Sequence, residues 1–172
     1  MNIHSKKFFF SFILISSTLL IFPFKGLSDQ CLQGNCNNGY GVMQTDAGGF
    51  VKGQFINGKL NGKGILKTRE GDIYEGNFLN NKFDGYGILK NKDASVVYSG
   101  YHKNGLSHGY GVLENHIKGM VYAGDWRDGT FVEGIFEKSD GTKYIGELKN
   151  NLFHGKGELT LPNPKKSVIK LA

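Results

Sequence analysis

Proline is almost missing from this chain: there are three in 172 residues, and none between Lys25 and Leu161. Proline removes a backbone donor, so a long stretch without it leaves every strand free to join a hydrogen-bonded ladder. Cysteine is equally scarce, with only Cys31 and Cys36. Two cysteines do not build a disulfide scaffold, and without nearby histidines they do not fill a tetrahedral metal shell. No segment shows the apolar spacing of an amphipathic helix. A dominant charge is lacking too. The net charge is +6, but Lys6, Lys7 and Lys25 lie at the start and Lys165, Lys166 and Lys170 at the end. Without those six, 15 of the 21 basic residues remain against 15 acidic ones, with signs interspersed. That balance excludes a basic face able to release counterions from a nucleic acid, so no nucleic-acid partner is expected.

Long apolar runs are absent except at the N-terminus. There two lysines precede 17 uncharged residues, 8–24, followed by the polar exit "KGLS". This is the layout of a secretory leader, and "GLS" offers small residues for cleavage between Ser28 and Asp29. We read residues 1–28 as a cleaved signal peptide and the chain as exported: periplasmic, on the outer surface or secreted. The alternative is a retained membrane anchor through residues 8–24, near the lower limit for a span.

What the chain has in abundance is glycine. The stretch "YEGNFLNNKFDGYG", residues 74–87, alternates glycines with aromatics, and it recurs. With Tyr74 as position 0, the same frame starts at Val51, Tyr98, Tyr122 and Tyr144, and a shortened copy starts at Leu32. Positions +2 and +13 are glycine in all six copies, allowing one deleted residue before Gly134. Position +11 is glycine in five. The frame accounts for all but two of the 26 glycines. A period of 22 to 24 residues marks a repeat array.

Within each copy, positions 0 to +4 and +11 to +15 alternate as strands do. Asn57-Gly58, Asn80-Asn81, Asn104-Gly105, Asp128-Gly129 and Asn150-Asn151 lie between them and tolerate the positive φ of tight hairpins. The reading is all-β: an elongated antiparallel meander of about twelve strands forming one twisted sheet. The array covers residues 29–161, with a partial copy over 31–49 and full copies from about 51, 74, 98, 122 and 144. Residues 162–172 are a basic tail or cap. Tyr74, Gly76, Phe78, Gly85, Gly87 and Leu89 fall on one face. Glycine weakens a strand unless something packs over it, so each ring is expected to roof a glycine. The glycines are then sockets and not a phosphate cradle, which would need a helix and a Lys-Ser/Thr pair after the turn.

The pattern Tyr-x-Gly-x-aromatic, then Asn-Gly, then Gly-x-Gly resembles the MORN repeat (membrane occupation and recognition nexus), here of a small exported bacterial type. The resemblance covers about residues 31–161. It departs at Val51, His102, Leu148 and Val132. It implies an elongated β ribbon with an open trough, used for protein contacts and in some members for acidic lipids.

The function expected is a non-enzymatic exported scaffold that contacts a protein, or an envelope lipid or glycan, with weak membrane contact through the basic tail. Two aromatic surfaces are candidates. Phe55, Tyr74, Phe78, Tyr98, Tyr122, Trp126 and Tyr144 line the trough, or else are the core of a one-layer fold. Tyr40, Tyr86 and Tyr110, all at +12, form a stripe on the opposite face that glycine covering does not require. The alternative is an accessory module of an enzyme, or a hydrolase using His108 or His154. Both histidines sit at +10 before a turn glycine, which the repeat itself explains. No cofactor, metal or catalytic group is expected. Cys31 and Cys36 are candidates for a disulfide if "CLQGNC" bends at Gly34. A straight strand would hold their Cα atoms about 16 Å apart, against a limit near 7 Å.

Overall fold

The computed structural model describes residues 30–162 and 168–171. The expected leader, its cleavage site and the anchor alternative lie outside those residues. The described residues contain no helix. β1 (Gln30–Gly34) and β2 (Gly39–Gln44) form the truncated copy. The full copies are the hairpins β3 (Phe50–Ile56) with β4 (Lys59–Lys67), β5 (Ile73–Leu79) with β6 (Lys82–Lys90), and β7 (Val96–Lys103) with β8 (Leu106–Asn115). After them come β9 (Met120–Arg127) with β10 (Thr130–Lys138) and β11 (Lys143–Lys149) with β12 (Leu152–Thr160). Neighbours in sequence are neighbours in one antiparallel sheet. The count of twelve strands falls one short. β13 (Val168–Leu171) comes from the tail and pairs with β12.

The hairpin turns follow from their residues. Asn57-Gly58, Asn80-Asn81, Asn104-Gly105, Asp128-Gly129 and all of Asn150-Asn151 have positive φ. That is the two-residue turn whose twist matches the strands it joins. The turns also stitch one copy to the next. The N–H groups of Gly58, Asn81, Gly105 and Gly129 donate to the carbonyls of Asn37, Leu60, Phe83 and Ser107 in the preceding copy. One residue earlier, the N–H groups of Asn57, Asn80 and Asn104 donate to side-chain oxygens of Asn38, Asn61 and Asp84. The residue at +10 is thus an acceptor for the following copy. His108 holds that place opposite Asp128, Nδ1 to Oδ1 3.5 Å.

One face of the sheet is buried and the other is open. The buried residues form two clusters. The first runs from Cys36 and Met43 through Phe55 and Tyr74 to Phe83, the second from Tyr98 through Trp126 to Leu148, and both pack on Leu89. Position +9 is central to them, with Leu60, Phe83 and Phe131 buried at 1–3 % exposure. The sequence reading placed the +11 glycines on this face instead, which is a correction. In the hairpin of β5 and β6, Gly76 pairs with Gly87 and Phe78 with Phe83, leaving one residue on β5 against three on β6. Gly85 lies in that bulge at φ 98°, in the left-handed region. Bulges break alternation and bend the strand, so the face below the bulge is taken by +9 and not by +11.

The bulge also explains the tyrosines. It takes the carbonyl of position +3 out of the ladder, and a carbonyl without a partner is costly when water is excluded. Tyr74 Oη donates to the carbonyl of Asn77, Tyr98 Oη to that of Tyr101 and Tyr144 Oη to that of Glu147, each at 3.0 Å. Reaching there lays the ring across the glycine pair. A Cβ added at Gly87, Gly111 or Gly157 would run into the phenols of Tyr74, Tyr98 or Tyr144. The rings therefore roof the glycines in three copies. Elsewhere the roof differs: Leu60 covers Gly53 and Gly64, where Val51 replaces the tyrosine. In the copy with the deletion, β9 and β10 keep only a single extra residue between Phe131 and Glu133, and Gly124 and Gly134 meet backbone instead.

Cys31 and Cys36 are disulfide-bonded, with their Cα atoms 5.7 Å apart. The bend is the one their spacing required: Gly34 has φ 76°. The Cys36 sulfur stands over Gly41, 2.8 Å from where a Cβ would be. At this end of the core, sulfur does the work of a ring.

Candidate functional site

The two aromatic surfaces separate cleanly in the structure. Phe55, Tyr74, Phe78, Tyr98, Tyr122, Trp126 and Tyr144 are all buried, between 0 and 6 % exposed. They present no open trough to a ligand; they are the core packed on one face of the sheet. Tyr74 stacks on Phe83 at 3.5 Å and Tyr144 on Phe153 at 3.9 Å. Trp126 Nε1 donates to the Gly111 carbonyl at 3.1 Å. Burial pushes the phenols of Tyr98 and Tyr122 up to about 12 and that of Tyr74 higher still, so all three stay protonated, and Tyr74 and Tyr98 donate to the carbonyls named above.

Tyr40, Tyr86 and Tyr110 lie on the outer face and are exposed. Tyr101, which the frame did not single out, joins them. It is directly opposite Tyr86 in the ladder between β6 and β7, and the two rings meet edge to face at 5.6 Å. Tyr101 and Tyr110 flank the Gly100–Gly111 pair on the two strands of the next hairpin. Tyr86, Tyr101 and Tyr110 thus stand on three adjacent strands, while Tyr40 is remote on β2. Beyond Tyr110 the same line continues through Asp125, Glu133 and Glu147, each directly opposite the one before. All three carboxylates are exposed.

The described histidines do not assemble a reaction centre. His108 faces Asp128 across a turn, and His154 offers its backbone carbonyl to Tyr144. His102 is the buried one, at 5 % exposure, ringed edge-on by Tyr74, Phe83 and Tyr98 at 5.0–5.7 Å. Burial lowers its pKa to about 4, with the backbone of Gly100 and Gly85 opposing, and its Nδ1 has no hydrogen-bond partner. It is a core ring held neutral. Among the described residues there is no cluster of three or more side chains able to hold a metal ion.

Five segments match the MORN repeat model: residues 52–73, 74–95, 98–114, 122–143 and 144–163. Together they span more than half of the chain, which belongs to the MORN repeat family. Such repeats are generally protein- or membrane-binding modules without catalysis of their own. No curated protein matches the sequence. Among solved structures, the chain is similar to the SAS-4 (dCPAP) TCP domain of Drosophila melanogaster, solved in complex with a proline-rich motif of Ana2 (dSTIL). Identity is 17 %, coverage 87 % of this chain and 96 % of that one, and the TM-score 0.35. At those values the likeness assigns neither function nor partner.

Proposed function

We propose that the protein is a non-enzymatic, exported repeat scaffold whose outer face makes protein or envelope-surface contacts through Tyr86, Tyr101 and Tyr110. The observation that carries this reading is the exposed edge-to-face pair of Tyr86 and Tyr101 beside Tyr110. Exposed rings on adjacent strands of one rigid sheet offer large contact area at little entropic cost. The core does not need them, because the inner face is already filled. The leader-like residues 1–28 and the Cys31–Cys36 disulfide support export, since such bonds persist in oxidising compartments.

The test is capture of partners from the native envelope by the purified protein, comparing wild type with the Tyr86→Ala/Tyr110→Ala double variant. Both side chains are outside the core, so the variant should melt as wild type does. It is expected to lose the captured material. Full retention of every protein, lipid and glycan partner would remove the outer face from consideration.

A further inference from the structure

The tyrosines and the carboxylates beyond them form one polarised line, and that line carries an inference resting on the outer-face reading. Like charges directly opposite one another across strands destabilise a sheet. Here three occur in succession, Asp125, Glu133 and Glu147, on β9, β10 and β11. None of the three is ion-paired with a described residue, although lysines are plentiful along the chain. The aromatic end has the same preference by another route, because the face of a tyrosine ring attracts cations. An anionic lipid surface or a nucleic acid would be repelled by the carboxylates.

We propose that this face docks a Lys- or Arg-bearing extended segment of a partner protein, laid across the strands from Tyr86 to Glu147. Five interstrand steps of about 4.8 Å make the line about 24 Å long, which an extended segment of about seven residues covers. Its cationic side chains lie over Tyr86, Tyr101 and Tyr110 at one end and against the carboxylates at the other. The acids choose the sign of the partner, and the rings supply the contact area.

The experiment titrates the purified full chain against two labelled nine-residue peptides of alternating glycine, one carrying arginine and the other glutamate, and follows fluorescence anisotropy. The arginine peptide is expected to bind and the glutamate peptide to stay free. Asp125→Asn/Glu133→Gln/Glu147→Gln should weaken the arginine peptide about tenfold, and raised salt should do the same. Tyr101→Ala should also weaken it several-fold, a change that diffuse attraction to acidic residues would not produce. Equal binding of the two peptides overturns the proposal, as does an unchanged affinity in either variant. A concentration-dependent dimer of the free chain that Tyr101→Ala dissolves would assign the face to a second copy and also overturn it. Envelope capture separates this idea from the broader one. If native partners are lost with Tyr86→Ala/Tyr110→Ala but kept after the carboxylates are neutralised, the cationic occupant falls and the contact face stands.

Discussion

The copy that begins at Tyr74 and the one that begins at Tyr98 have the same strands, the same bulge and the same tyrosine hydrogen bond. They differ in what surrounds it. The first has Phe78 and Phe83 in the core, Asp84 accepting from the next copy, and Gly71 in the turn that leads into it. The second has His102, Ser107, His108 and Ala94 at the equivalent places. Ala94 adopts φ 55° and donates its N–H to Asn91, as Gly71 does to Thr68. A side chain in that left-handed conformation is strained by about 1 kcal/mol. Four local rules are therefore relaxed in one copy, and that copy carries Tyr101 and Tyr110 on its outside. Natural proteins tend to relax such rules near functional surfaces, so the contrast points to the same part of the ribbon as the exposed rings do.

The contrast can be broken most strongly at the roofed glycines. Gly87→Ala drives a methyl into Tyr74, which is pinned on Phe83, and should cost about 4 kcal/mol from overpacking and the lost hydroxyl bond. Gly111→Ala meets Tyr98 in the same way, but Ser107 replaces the stacked ring, so about half that loss is expected. Urea denaturation of both variants measures the difference, and equal losses would mean that the ring at +9 does not hold the roof in place.

An effect smaller than that of Gly87→Ala comes from acid. His102 is neutral when folded, with a pKa near 4, while an unfolded chain takes up the proton near 6.5. The His102 contribution to stability is therefore fully present above about pH 6.5 and is lost as pH drops towards 4, by about 3 kcal/mol in all. His102→Phe, which restores the ring found at Phe78, should flatten that part of a stability profile recorded by thermal melts. Ala94→Gly is the smallest, a gain of about 1 kcal/mol that makes the second copy more like the first. No gain would show that the left-handed turn is not strained.

Much of this was legible because glycine leaves so few alternatives. The frame gave the strands, the paired turns and the outer position of Tyr40, Tyr86 and Tyr110. The errors have one source. Strict alternation was carried through the bulge, which put Gly85 on the inner face and left Phe83 in a turn. A signal was available, since +9 reads Leu60, Phe83, Phe131 and Phe153 in four full copies. Tyr101 was not visible in the same way. It lies at +3, where the other copies place Gln54, Asn77, Asp125 and Glu147, and only pairing with Tyr86 across two copies gives it meaning. The run of Asp125, Glu133 and Glu147 likewise comes from three segments, and register alone brings them side by side.

The disulfide over Gly41 leaves the ribbon with two unlike ends. In an array whose units touch only their neighbours, fraying starts wherever the terminal unit is easiest to detach. Among the described strands each end is held by a single neighbour, but Cys31 and Cys36 also lock the first to the core, whereas the last has only four residues. Unzipping thus has a direction, from β13 back towards β2, and a thiol reductant would make it two-way.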